Sequence, residues 1–196
     1  MERKYNTFSI GELFAESAME EELTDIVSTF KSPQNHDIEA FLHDSAMQSY
    51  KQGQSVTYLV YSDDEIPILV GYFTLLVKPI KIQPFSKSLE RRCRRLSKPD
   101  TNNFFTVSAF LIAQFGKNYN LPKEKRIEGN TLLSIAESKI LEIKKQIGGV
   151  FIFLECEDSK DDFLLNFYTS NTNMYRVFGE RMTEKGKKLY QLIKSI

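Results

Sequence analysis

The chain has no net charge to draw it onto a partner: its 26 lysines and arginines balance its 26 aspartates and glutamates. Nothing global therefore attracts it to nucleic acid or to an anionic membrane. Cysteine is scarce. Cys93 and Cys156 are the only two, far apart and without metal-ligand spacing, which argues against a disulfide scaffold or a metal site and reads as two free thiols in a reducing compartment. No apolar run approaches the roughly 20 residues of a membrane span. Behind Met1-Glu2-Arg3-Lys4 there is no apolar segment of the secretion-signal kind. The expectation is a cytoplasmic protein with no membrane partner. Internal repeats and low-complexity tracts are absent as well. What is present is ordinary for a globular protein, with 41% hydrophobic and 27% charged residues in 196. That predicts one domain over residues 1–196 with ample chain to bury a core.

Periodicity places the elements. Residues 10–30 are helix-compatible, and Pro33 and Asn35 break them. Asp37 is the expected N-cap of a helix carrying Ile38, Phe41, Leu42 and Ala46, which Gly53 ends. Val56 to Tyr61 and Ile68 to Val77 read as strands joined by Ser62-Asp63-Asp64, an antiparallel hairpin. Residues 78–103 read as a long connection with a short basic helix, Arg91-Arg92-Cys93-Arg94-Arg95, inside it. A third strand runs from Phe104 to Phe115. Leu132, Leu133, Ala136, Ile140, Ile143 and Ile147 make one apolar helical stripe, stopped by Gly148-Gly149. Val150 to Cys156 suits a central strand. Phe163 to Tyr168 reads as a short helix, and strands at Tyr175–Phe178 and Leu189–Ile193 finish the chain. A helix between two core strands implies a mixed α/β sheet.

The most informative stretch runs from Phe105 to Tyr168: strand, loop, glycine, amphipathic helix, strand, short helix. A strand that ends in a loop and restarts as a helix presents backbone N–H groups without helical acceptors, and these and the helix dipole favour a phosphate. The loop adds Lys117 and Arg126.

These residues resemble the GNAT superfamily of acetyl-CoA-dependent N-acetyltransferases over most of the chain, from about Phe30 onward. The family's loop is Arg or Gln, two residues, Gly, one residue, then Gly or Ala; here it is Arg126-Ile127-Glu128-Gly129-Asn130-Thr131, with Thr131 departing from the small final residue. Tyr119-Asn120-Leu121-Pro122 looks like an insertion ahead of it. The pair Phe167-Tyr168 matches the family's tyrosine, while Asp161 stands where many members carry an Asn whose cofactor contact is not carried over. The layout around Phe30-Lys31-Ser32, Asp37 to Leu42 and Val70 to Leu75, followed by the basic insert, is similar to GNAT toxins that acetylate aminoacyl-tRNA.

The resemblance implies a single GNAT-like domain: a mixed, mostly antiparallel twisted sheet of about six to seven strands flanked by helices. It implies acetyl-CoA as cosubstrate, no metal, and a dimer as in many relatives. Acetyl transfer needs a held thioester, a donor for developing negative charge and a proton for the departing thiolate. On this reading the N–H groups of Ile127, Glu128, Gly129, Asn130 and Thr131 hold the diphosphate, and Lys117 and Arg126 add charge. The backbone at Phe115 and Gly116 orients the pantetheine and the thioester carbonyl, and Tyr168 protonates the thiolate. Glu155, with Glu157 on the same strand face, accepts the amine's proton or else sits in solvent or pairs with a lysine. Gly129 is alternatively a plain loop glycine, Tyr168 a packed core tyrosine, and Lys117 and Arg126 solvated charges. Arg91, Arg92, Arg94 and Arg95 hold tRNA phosphates or form a solvated helix face. His36 and His43 fall outside this site and are expected at the surface. Three functions compete: acetylation of a small-molecule or protein amine, toxin-like acetylation of aminoacyl-tRNA, and a non-catalytic domain that binds coenzyme A or a partner.

Overall fold

The structure is a computed structural model and describes residues 4–16, 20–157 and 161–196. Seven strands form one sheet in the order β1-β2-β3-β4-β5-β7-β6, which meets the upper end of the expected strand count. The strands are β1 (Tyr5–Ser9), β2 (Val56–Ser62), β3 (Leu69–Ile82), β4 (Phe105–Lys117), β5 (Phe151–Glu157), β6 (Arg176–Met182) and β7 (Lys188–Ser195). The pairs β1/β2, β2/β3, β5/β7 and β6/β7 are antiparallel, and β4/β5 is parallel, with Phe110 opposite Ile152 and Leu111 opposite Phe153. A parallel pair needs a long crossover, and α6 (Gly129–Ile147) supplies it.

The chain divides into two compact units, Met1–Leu76 with Ile112–Ser138, and Val77–Leu111 with Lys139–Ile196. The first holds β1, β2, and the helices α1 (Ile10–Glu16), α2 (Glu20–Ser28), α3 (His36–Ala40) and α4 (Ala46–Lys51), with a π-helical turn at Phe41–Ser45 between α3 and α4. Its core gathers Ile10, Leu23, Phe30, Leu42, Leu59 and Tyr72. The Tyr72 hydroxyl donates to the Ile38 carbonyl at 2.6 Å, so the buried phenol is satisfied. The second unit holds α5 (Lys87–Arg94), β5, α7 (Phe163–Thr169), β6 and β7. Its core includes Ile80, Ile82, Leu89, Cys93, Phe105 and Phe153.

Several expectations are corrected. Strand β1 went unread, because Tyr5-Asn6-Thr7-Phe8-Ser9 is short and mostly polar; its register against β2, Tyr5 opposite Ser62 through Ser9 opposite Tyr58, is what makes it a strand. The N-cap of α3 is Asn35, not Asp37: Asn35 has extended backbone and its side chain accepts from the Asp37 N–H. Strand β3 continues through Lys78-Pro79 to Ile82 instead of yielding to a loop. Val56, the first residue of β2, lies opposite Leu75, so Pro79 falls past the β2 ladder. Buried Ile80 and Ile82 alternate with exposed Pro79 and Lys81, the period of a strand with one covered face. Residues 10–30 form α1 and α2 where they are described; residues 17–19 lie outside the described residues. The basic segment is the helix α5, capped by the Ser86 side chain accepting from the Leu89 N–H and seated by Leu89 and Cys93. Gly148 (φ +78°) and Gly149 (φ +119°) end α6 in left-handed backbone, as the double glycine predicted.

Candidate functional site

The candidate phosphate loop lies within the first unit and begins at a buried asparagine. Asn118 follows the last residue of β4 and is 1% exposed. Its Oδ1 accepts from the N–H groups of Lys31 and Asn120, both at 3.1 Å, and its Nδ2 donates to Leu69 O at 2.9 Å and Thr29 O at 3.4 Å. Its own N–H donates to Val70 O, and the Tyr119 N–H to Lys31 O. One side chain thus ties the end of β4 to the start of β3 and to the turn after α2. Sequence reasoning missed Asn118; the available signal was Asn118-Tyr119-Asn120, turn chemistry placed directly after a strand.

Just before it, β4 runs against other backbone. A Cβ built on Gly71 would lie 2.8 Å from the Gly116 carbonyl oxygen, and one on Gly116 would lie 2.6 Å from Ile38 Cγ2 and 3.1 Å from Phe30 Cζ. Gly116 is required by crowding rather than by an unusual φ. The half-buried Phe115 precedes it.

Beyond Asn118 the chain loops through Tyr119 to Pro122, makes one short 3-10 turn at Lys123–Lys125, and reaches Arg126. Arg126 Nε donates to Leu121 O at 2.8 Å and a terminal guanidinium nitrogen donates to Tyr119 O at 2.9 Å. The same guanidinium lies over the Tyr119 ring at 5.2 Å, and Lys117 Nζ lies 5.6 Å from that ring. Neither side chain forms an ion pair among the described residues.

Ile127 is fully buried and anchors the segment. Glu128 is exposed, and its carbonyl accepts the Leu132 N–H at 3.0 Å, the first bond of the α6 ladder. The N–H groups of Gly129 and Thr131 therefore have no acceptor inside the helix. The φ of Gly129 is not positive, so a side chain is excluded there by conformation no more than elsewhere in the turn. An open cleft of about 370 Å³ runs along the first two turns of α6, lined by Tyr5, Asn130, Thr131, Ser134 and Ile135. Thr131 thus contributes a wall of that cleft.

The second unit holds the other two candidates. Tyr168 in α7 is 7% exposed. Burial raises its pKa strongly, with a smaller push from Cys156, so the phenol is neutral at every physiological pH. Among the described residues nothing hydrogen-bonds its hydroxyl. Among the described residues the fully buried side-chain oxygens without a partner belong to Tyr61 and Ser97, not to Tyr168. Its ring packs edge-on against Phe167 at 4.9 Å and Tyr175 at 5.8 Å. Asn173, also unread in the sequence, donates from Nδ2 to Phe167 O at 2.7 Å, and the Tyr175 N–H donates to Tyr168 O at 3.0 Å.

Glu155 is placed differently from the residue an amine base requires. Arg181 grips both carboxylate oxygens at 2.7 and 2.5 Å, and Gln191 Nε2 donates to Oε1 at 2.9 Å. Burial pushes the carboxyl up, but the hydrogen bonds from Arg181 and Gln191 and the charges of Arg181 and Lys78 outweigh it and hold the group below the usual glutamate range. A carboxylate so stabilised is a weak base. Glu157 pairs with Lys187 at 2.9 Å.

The arginine run sorts into two kinds. Arg94 is bound to Glu90 at 2.7 Å across one helical turn. Arg91, Arg92 and Arg95 are exposed, and their side chains make no ion pair or hydrogen bond among the described residues. His43 is half-buried rather than at the surface, with Nε2 3.1 Å from the Phe30 carbonyl oxygen. Among the described residues no group of His, Cys, Asp or Glu is arranged to hold a metal, and no helix is long and apolar enough to cross a membrane.

The strand order, the parallel β4/β5 pair and the α6 crossover make a GNAT-like fold. No protein-family pattern matches the sequence, and no curated protein matches it significantly. Among solved structures the chain is similar to AtaT complexed with acetyl-methionyl-tRNAfMet, at 14% identity and TM-score 0.64 over 95% of this chain and 94% of that one. It is similar to a tyrosine-to-phenylalanine variant of KacT at 13% identity and TM-score 0.65, over 98% and 95% of the two chains. It is also similar to AtaTR bound with AcCoA, at 14% identity and TM-score 0.60 over 96% and 93%.

Proposed function

We propose that residues 1–196 form an acetyl-CoA-dependent N-acetyltransferase that transfers an acetyl group to a primary amine by direct attack on the thioester. The observation that carries this reading is the braced loop from Asn118 to Arg126, which ends at a buried Ile127 and opens α6 beside a cleft. The shared fold with structures solved with acetyl-CoA supports it. The bound thioester supplies the activated acyl group. The backbone N–H groups from Ile127 to Thr131 bind the diphosphate, with Lys117 adding positive charge. The backbone at Phe115 and Gly116 orients the pantetheine and the thioester carbonyl. Tyr168, neutral and with no hydrogen-bond partner for its hydroxyl among the described residues, donates to the departing thiolate. The amine loses its proton to water, because Glu155 is committed to Arg181.

Calorimetry with acetyl-CoA, followed by thiol release against a panel of amines and aminoacyl-tRNA, tests the reading. Tyr168→Phe is expected to lower kcat by about 100-fold with little change in acetyl-CoA affinity. An unchanged kcat removes Tyr168 from the mechanism. Binding without turnover on any acceptor leaves a non-catalytic coenzyme A-binding domain.

For the acceptor, a specific observation favours aminoacyl-tRNA: α5 exposes Arg91 and Arg92, and its C-cap Arg95, none of them in an ion pair among the described residues, on a chain with no net charge. Arg is suited to phosphate contacts. The AtaT neighbour complexed with acetyl-methionyl-tRNAfMet supports the same choice. Expression that halts growth, relieved by Tyr168→Phe, is the expected result; harmless expression at high level counts against it.

A further inference from the structure

We infer that Arg126 is a positioning residue that braces the cofactor loop, and that it is not itself a phosphate ligand. The inference deepens the proposed function and rests on Ile127 to Thr131 being the diphosphate segment. Its guanidinium is turned back onto its own loop. Nε and one terminal nitrogen are spent on the carbonyls of Leu121 and Tyr119, at 2.8 and 2.9 Å. The guanidinium carbon lies over the Tyr119 ring, 5.2 Å from its centroid. These contacts span residues 119 to 126, so Arg126 closes the loop that is inserted between β4 and α6.

The other end of that loop is equally fixed. Asn118 and the Tyr119 N–H tie it to Leu69, Thr29 and Lys31. Asn120 Nδ2 adds a bond to Thr29 O at 3.2 Å. Past the second anchor the backbone enters Ile127, buried, and then the first turn of α6. A loop of this length without a brace samples many conformations, and ordering it on ligand binding costs affinity. With the brace, the N–H groups of the first turn stand ready before any ligand arrives. Two charge-assisted hydrogen bonds to two carbonyls need the planar fork of arginine; lysine keeps the charge but cannot reproduce both contacts.

The two roles differ in the protein without ligand. A phosphate ligand leaves the free loop unchanged when it is removed; a brace does not. Hydrogen exchange of the amides from Leu121 to Gly129 is measured in wild-type protein and in Arg126→Lys, with Arg126→Ala as a second variant, in the absence of acetyl-CoA. The expected result for Arg126→Lys is exchange faster by about tenfold or more in that segment, with β5 and β7 unaffected. Steady-state kinetics should then show KM for acetyl-CoA raised by about tenfold and kcat within about twofold, since the reacting groups are untouched. Unchanged exchange with weakened acetyl-CoA binding would overturn the inference and return Arg126 to the role of phosphate ligand. Unchanged exchange with unchanged KM would overturn it as well. If wild-type protein bound no acetyl-CoA, the proposed function would fall, while faster exchange in Arg126→Lys would still hold Arg126 to its place as brace.

Discussion

At the scale of single residues the structure separates side chains that look alike in the sequence. Four arginines in five positions read as one basic run, yet Arg94 is paired with Glu90 while Arg91, Arg92 and Arg95 have no carboxylate partner among the described residues. Asn118 and Asn173 carried no visible chemistry, and both prove to be buried polar links beside candidate functional residues. Their importance depends on which carbonyls come within reach, and no local pattern encodes that. Backbone strain is another residue-scale property. Met174 has φ +58° and is exposed, in a region that penalises a residue with a Cβ by about 1–2 kcal/mol. Met174→Gly is therefore expected to stabilise the protein by about 0.5–1 kcal/mol, net of the extra freedom of glycine in the unfolded chain. Urea denaturation measures this, and a destabilised variant would show that the Met174 side chain contributes packing. Asn103 and Asp162 share the left-handed backbone but are residue types that tolerate it, so the same change there gains less.

At the scale of elements, two contacts decide how strands meet. Gly71 of β3 faces the Gly116 carbonyl of β4, leaving a Cβ only 2.8 Å from that oxygen. Gly71→Ala is expected to cost about 1–3 kcal/mol, because backbone must move, and to raise KM for acetyl-CoA through the displaced end of β4. A variant as stable as wild type would mean that the strands have slack there. The second contact is the Arg181–Glu155 pair, which joins β6 to β5 across Gln191 of β7. Its folded-state carboxyl lies below the ordinary value, so the stability it contributes is present above the unfolded pKa and is lost as pH falls through the folded one. Stability of wild-type protein should thus decline below about pH 4. Arg181→Ala should remove about 1 kcal/mol or less at neutral pH after solvent screening, and should flatten that acid limb. Equal acid limbs in the two proteins would show that the pair contributes nothing net. Most element boundaries were legible, since apolar period and glycine stops are local. Strand β1 and the extension of β3 to Ile82 were not, because each is made a strand by a neighbour.

At the scale of the whole molecule, net charge and local charge disagree, and partner binding tests which matters. With formal charge zero, any attraction to tRNA must come from a patch such as the free face of α5. Replacing Arg91, Arg92 and Arg95 together by Gln is expected to weaken tRNA binding and to lower the salt slope by about 2–3, with stability changed by no more than about 0.5 kcal/mol. Fluorescence anisotropy over a salt series reads this; an unchanged slope would leave α5 a solvated helix face. The sequence by itself determined the mixed α/β order, the α6 crossover and its glycine stop, and the loop that precedes that helix. These follow from the spacing of apolar residues and from backbone conformations open to few residue types. Only the tertiary structure decided that Arg126 turns inward, that Glu155 is paired, and that Asn118 joins three segments. Hydrogen bonds and ion pairs act over about 3 Å, and which groups come that close is fixed when distant segments pack.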